Sequence, residues 1–117
     1  MPSEPSPIEI EVSSDFKRNL RTLAKRYRHI RSDLEPLLAQ LRTGACPGDQ
    51  ISGIAYAVFK VRLGNTDAQR GKSGGYRVIY YLKTKTRIIL VTIYSKSDQG
   101  DISDRTICQI IESHQAE

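Results

Sequence analysis

The sequence predicts an α+β fold: one antiparallel sheet with helices packed on one of its faces, in the order β-α-α-β-β-β-α. Three observations carry that expectation. Apolar residues recur at helical spacing from Phe16 to Leu41. Three strand-like stretches follow between Tyr56 and Ser95, and helical spacing returns at Ile107, Ile110 and Ile111. The length, 117 residues, suits a single domain.

Residues 1–7, with three prolines and two serines, read as a flexible tail, so that the domain spans 8–117. Ile8, Ile10 and Val12 alternate with Glu9 and Glu11, the pattern of a short half-buried strand. Ser13, Ser14 and Asp15 offer helix caps, and Phe16, Leu20, Leu23, Ala24 and Tyr27 stack on one face of the helix that follows. Its other face is rich in Lys and Arg. A second helix is expected from Ser32 or Asp33. Pro36 then falls in its first turn, where a missing N–H costs nothing. Leu34, Leu37, Leu38 and Leu41 form the apolar stripe, and Gly44 is a natural stop.

After the Cys46-Pro47-Gly48 turn come three strands. Ala57, Phe59, Val61 and Leu63 share one face of the first, with Tyr56, Val58, Lys60 and Arg62 on the other. A polar, Gly-rich loop from Gly64 to Gly75 leads to a second strand, Tyr76 to Lys83. Thr84-Lys85-Thr86 connects this strand to the third, Arg87 to Ser95. Ile88, Ile89, Leu90 and Val91 are apolar on both faces, as in a strand covered from both sides. A last helix is expected from about Ser103.

The formal net charge is +5, and its distribution is uneven. Between Ile54 and Lys96 nine Lys and Arg residues face a single acid, Asp67; between Lys17 and Arg42 eight face Asp33 and Glu35. Such asymmetry suits a polyanionic partner, nucleic acid or an acidic protein, or else a solubilising surface. No apolar run is long enough to span a bilayer, and the opening residues lack a secretory pattern, so the expectation is a cytoplasmic protein without a membrane partner. Cys46 and Cys108, with His29 and His114, show no metal-ligand spacing, so neither metal nor cofactor is expected.

Alternation has a chemical consequence. Lys60 and Arg62 project from the sheet face opposite Phe59 and Val61; in register, Arg77, Ile79 and Tyr81 on the next strand point the same way, and Tyr94 and Lys96 close the set. These residues are either ordinary solvated strand positions or one exposed concave surface of cations beside aromatic rings, suited to unstacked bases and phosphates. RNA brings its own nucleophile, the 2′-hydroxyl. Such a surface therefore need only align the backbone, neutralise phosphorane charge and assist two proton transfers.

The segments Gly71-Lys72-Ser73-Gly74-Gly75-Tyr76-Arg77-Val78-Ile79-Tyr80-Tyr81 and Ile93-Tyr94-Ser95-Lys96-Ser97-Asp98, with Asp101-Ile102-Ser103 and the upstream Phe59-Lys60-Val61-Arg62-Leu63, resemble the RelE/ParE toxin superfamily, most nearly its HigB-type RelE branch. The likeness extends from about Ile8 to Ile111. It implies a RelE-like fold and a toxin of a type II toxin–antitoxin system: a metal-independent endoribonuclease that cuts mRNA in the ribosomal A site and inhibits translation. It further implies Arg77 as the transition-state arginine, Lys60 and Arg62 as phosphate-binding and proton-transfer cations, and Lys96, with Tyr94, as the remaining catalytic candidates. Arg70, Lys72, Tyr81 and Lys83 are candidates for contacting RNA or ribosome. His114, three residues from the end, reads as incidental. The partners implied are mRNA, the ribosome and a cognate antitoxin, either with an acidic segment or with a helix-turn-helix domain. Operator DNA would be reached only through the antitoxin.

Two rival functions share these features. A ParE-like poison of DNA gyrase would have the same fold without ribonuclease chemistry. A non-catalytic RNA-binding module would use the same cations for affinity alone.

Overall fold

A computed structural model describes residues 7–69, 71 and 74–116. Chain order is β1 (Glu9–Val12), α1 (Ser14–Arg26), α2 (Ile30–Arg42), β2 (Asp49–Gln50), β3 (Val58–Leu63), β4 (Tyr76–Thr84), β5 (Arg87–Ser95) and α3 (Asp104–Ala116). The α+β class and the expected elements are present, with the two-residue β2 added. The strands form one sheet in the order β1-β5-β4-β3-β2. Three pairings are antiparallel, but β1 runs parallel to β5, with Glu9 opposite Arg87 and Val12 opposite Leu90. The β1-α1 connection turns sharply at Ser13. Its hydroxyl accepts from Phe16 N at 3.0 Å as the cap of α1 and donates to Val91 O at 2.6 Å, tying helix to sheet.

The helices do not share one face of the sheet, and here the structure corrects the sequence. α1 and α2 bury Phe16, Leu23, Ile30, Leu34, Leu37 and Leu41 against Val61, Leu63, Tyr76, Val78, Tyr80, Leu90 and Ile93. α3 buries Ile107, Ile110 and Ile111 against Val58, Ile79 and Val91 on the opposite face. Alternation along β3 and β4 assigns the two cores to different sides. β4 and β5 are therefore apolar on both, and β5 is buried at every position but Arg87.

α2 begins one turn earlier than the spacing implied, at Ile30, which is fully buried and anchors the turn. Asp33 is consequently not its cap, and Pro36 lies inside the helix rather than in its first turn. The Asp33 carboxylate instead accepts from Thr66 N at 3.1 Å and Thr66 Oγ1 at 3.0 Å. Asp67 receives the His29 backbone N–H at 2.7 Å, and its other oxygen contacts His29 Nδ1 at 2.7 Å. Those contacts hold the Asp67 carboxyl below its usual range. The start of the loop after β3 is thereby fastened to the start of α2.

α3 is joined to the edge of the sheet by a partly buried contact, His114 Nε2 to Glu11 Oε1 at 2.9 Å. Arg87 Nε lies 3.7 Å from the other oxygen of Glu11. First the His114 hydrogen bond, then the neighbouring Arg87 charge, hold the Glu11 carboxyl below its usual range against the opposing effect of burial. A carboxyl depressed by folding stabilises above its ordinary pKa and loses that contribution as pH falls through the depressed value. At neutral pH, Glu11→Gln should therefore unfold at lower urea than the wild type. The gap should close as the solution is acidified below the carboxylate range. A gap of constant size across urea melts from neutral to acid pH would remove the ionic role of this contact.

Candidate active site

Three strands build the site. Arg62 on β3 is opposite Arg77 on β4, and Arg77 is opposite Tyr94 on β5, so the three form one row across the sheet. Residues directly opposite have Cβ atoms about 5 Å apart, where like charges repel. Lys60, two residues before Arg62, and Lys96, two after Tyr94, join the row from the same face. The row lies beside α3, on the half of that face left uncovered by Ile107, Ile110 and Ile111. Between it and the loop that follows β5 is a cleft of about 290 Å³, lined by Lys60, Arg62, Arg77, Tyr94 and Lys96 together with Asp49, Gln50, Ile51, Gly100 and Asp101.

The cleft is deeper than an exposed concave surface. Arg77 is 6% exposed and Tyr94 5%, so these two form its floor. Arg62 and Lys96 are exposed and Lys60 half-buried at the rim. Four of the polar groups are oriented by hydrogen bonds. Arg77 Nη1 donates to Tyr76 O at 3.1 Å, and Lys96 Nζ donates to Gly100 O at 2.8 Å. Lys60 Nζ donates to Asp101 Oδ1 at 2.8 Å, and Tyr94 OH donates to the same oxygen at 3.3 Å. Burial above all, with the Asp101 charge nearby, pushes the Tyr94 hydroxyl up to about 12. The Lys60 ammonium foremost holds Asp101 below the usual carboxylate range. Four cations thus face two carboxylates in a partly desolvated space, an arrangement that an anion would relieve.

The backbone is built to bring β3 into place. Gly48 has φ +92, and a Cβ there would lie 2.3 Å from Lys60 O; no side chain could stand where the turn before β2 crosses β3.

Five of the nine site candidates read from the sequence meet in this cleft: Lys60, Arg62, Arg77, Tyr94 and Lys96. Two do not. Tyr81 shares their side of the sheet but sits opposite Val58, at the margin of the core under α3. There it packs edge-on against Tyr56, with ring centroids 5.2 Å apart. Lys83 is exposed near the β4–β5 hairpin, about 20 Å along the strand from Arg77 at 3.3 Å per residue. Arg70 and Lys72 lie outside the described residues. Asp101 was missed as a site residue, although its segment carried part of the family likeness. A carboxylate in a polar Gly-containing loop gives no sign by itself that it reaches a strand lysine.

A family model described as the RelE toxin of the RelE/RelB toxin–antitoxin system matches residues 16–115. The chain belongs to the RelE toxin family. The match begins at Phe16 in α1 and ends in α3, so it takes in both helix layers and every strand except β1. Membership makes this a toxin of a toxin–antitoxin system and implies a cognate RelB-type antitoxin as its partner. Among the described residues of this RelE-family toxin, no helix is long and apolar enough to cross a membrane.

Proposed function

We propose that this RelE-family toxin is an endoribonuclease that cuts mRNA on the ribosome by activating the substrate's own 2′-hydroxyl. One observation carries the reading: four cations from two strands and one loop line a single cleft with a buried phenol from a third strand. Four converging cations exceed what two neighbouring carboxylates balance, and a phosphodiester supplies the missing negative charge.

In the reaction the 2′-hydroxyl gives up its proton to solvent water as its oxygen attacks phosphorus in line and the bond to the 5′-oxygen breaks, leaving a 2′,3′-cyclic phosphate and a 5′-hydroxyl. Charge accumulates on the non-bridging oxygens of the phosphorane. The planar fork of Arg77 suits two of those oxygens, and its burial strengthens the interaction. Arg62 extends the cradle at the rim. Lys60 and Lys96 supply further positive charge, and a protonated ammonium of this kind can release a proton to the departing 5′-oxygen. The high pKa of Tyr94 keeps its hydroxyl protonated at neutral pH, as a hydrogen-bonding group at the cleft floor. The GKSGGYRVIYY and YSKSD segments support the HigB-type branch. The antitoxin would be acidic or amphipathic over the surface that covers the cleft, or carry a helix-turn-helix domain, and only through it would operator DNA be reached.

Induced expression followed by mapping of mRNA 5′ ends tests the proposal. The expected outcome is new 5′-hydroxyl ends in phase with codons. If messages stay intact while gyrase-dependent DNA breaks accumulate, the protein is a gyrase poison. If RNA is bound but neither is broken, it is a binding module.

A further inference from the structure

We propose that Asp101 is a positioning residue of the cleft: one carboxylate oxygen gathers the Lys60 ammonium from β3 and the Tyr94 hydroxyl from β5, and so sets where both stand when RNA enters. The inference deepens the ribonuclease reading and rests on it.

The geometry is specific. Asp101 Oδ1 accepts from Lys60 Nζ at 2.8 Å, from Tyr94 OH at 3.3 Å and from the Ile102 backbone N–H at 2.8 Å. β4 separates the strands that carry Lys60 and Tyr94, and among the described residues no other side chain joins their polar ends. Lysine has a long, freely rotating stem, and fixing its ammonium near a reacting atom requires a partner. One of its three N–H groups is used by Asp101, and the remaining two are left for a phosphate.

The loop that carries the carboxylate is itself held on several sides. Gln99 Nε2 donates to Asp101 O at 3.1 Å, and Lys96 Nζ to Gly100 O at 2.8 Å. Further along the same loop, Asp98 accepts two bonds from Arg26 Nη1 on α1, at 2.9 and 3.1 Å. The segment between β5 and α3 is thus pinned to α1 at one end and to β3 at the other. A latch that merely filled the phosphate seat would have to swing away when RNA bound. Asp101, anchored by its own backbone and by the next residue's N–H, is built to stay. Its second oxygen, Oδ2, accepts no hydrogen bond among the described residues, so the three bonds that fix the carboxylate all converge on the oxygen that faces Lys60 and Tyr94.

Cleavage of a short mRNA on programmed ribosomes by the purified full chain is the test, with kcat and KM measured separately. Asp101→Ala should lower kcat about 10- to 100-fold, the scale of a misplaced reacting group, with KM little changed. Asp101→Asn keeps an acceptor oxygen in place and should retain more of kcat than the alanine variant. It should also bring the alkaline limb of the pH–rate profile to lower pH, because the negative charge that helps hold the Tyr94 proton is gone. The Asp101 side chain is 67% exposed, so both variants should melt near the wild type; if the alanine variant does not fold, the asparagine variant decides. An unchanged kcat, or a lower KM with kcat intact, overturns the proposal, the second result marking Asp101 as a displaceable latch. A wild-type protein that cuts no RNA would sink the ribonuclease reading and this inference with it, whereas active wild type with indifferent variants sinks only the inference.

Discussion

Arg77→Ala should yield a folded toxin that cleaves message 10²- to 10³-fold more slowly, on the scale measured when one preorganised charge-stabilising donor is removed. Arg77 lies at the floor of the cleft, 6% exposed and opposite both Arg62 and Tyr94. Of the four cleft cations it is the one held farthest from water, where its charge is least screened. Two effects on stability oppose each other. Truncation leaves space beside Tyr94 and abolishes the bond to Tyr76 O, but it also ends the repulsion between register-paired guanidinium groups. The net change should be about 1 kcal/mol either way, readable by urea unfolding. Arg77→Lys should not rescue cleavage, because it restores charge without the planar fork. Expression of either variant should no longer arrest growth. If Arg77→Ala still cuts at the wild-type rate, the chemistry does not run through this cleft, and the ribonuclease proposal loses its central residue.

The same residue shows how far sequence reasoning reaches. Alternation alone puts Lys60, Arg62, Arg77 and Tyr94 on one side of the sheet, because a strand's side chains repeat every second residue whatever surrounds them. Depth is not written in that pattern. The order Tyr76-Arg77-Val78-Ile79 does not tell whether a helix or solvent lies over Arg77. Ile107, Ile110 and Ile111 mark an amphipathic α3, yet nothing in their spacing chooses between two sheet faces that are both apolar. The choice is made by the short Ser95–Asp104 connection and by Val58, Ile79 and Val91, which needed a cover of their own. That choice also removes Tyr81 from the cleft, although its parity is the same as that of Arg77. The direction of β1 was equally unreadable: Ile8, Ile10 and Val12 alternate identically in a parallel or an antiparallel edge. Asp33, a good cap by residue type, is taken by Thr66, a partner 33 residues away. Local pattern fixed the faces and the strands; long-range partners decided what covers them.

Gly75→Ala should cost about 3 kcal/mol or more, a large share of the roughly 5–15 kcal/mol available to a domain of this kind. The segment up to Gly75 reads from sequence as a polar, Gly-rich loop, but Gly75 has a different duty. A Cβ at this position would lie 2.0 Å from Leu63 O and 3.0 Å from both Asn65 N and Gly64 C. All three are backbone atoms at the end of β3, so no flexible side chain can swing aside. The backbone itself would have to part, and two structural consequences follow. Tyr76, fully buried and opposite Leu63, is the next residue, and Arg77 follows it. On the other side Lys96 N donates to Gly75 O at 2.9 Å, so β5 would be displaced as well. One methyl group therefore strikes the point where Arg62, Arg77 and Lys96 are brought together, and both the urea midpoint and the cleavage rate should fall. Gly71→Ala, four residues earlier, meets nothing within 4 Å and should remain within about 0.5 kcal/mol of the wild type. Equal stability of the two variants would mean that the close approach of β4 to the end of β3 is not what holds the cationic row in register.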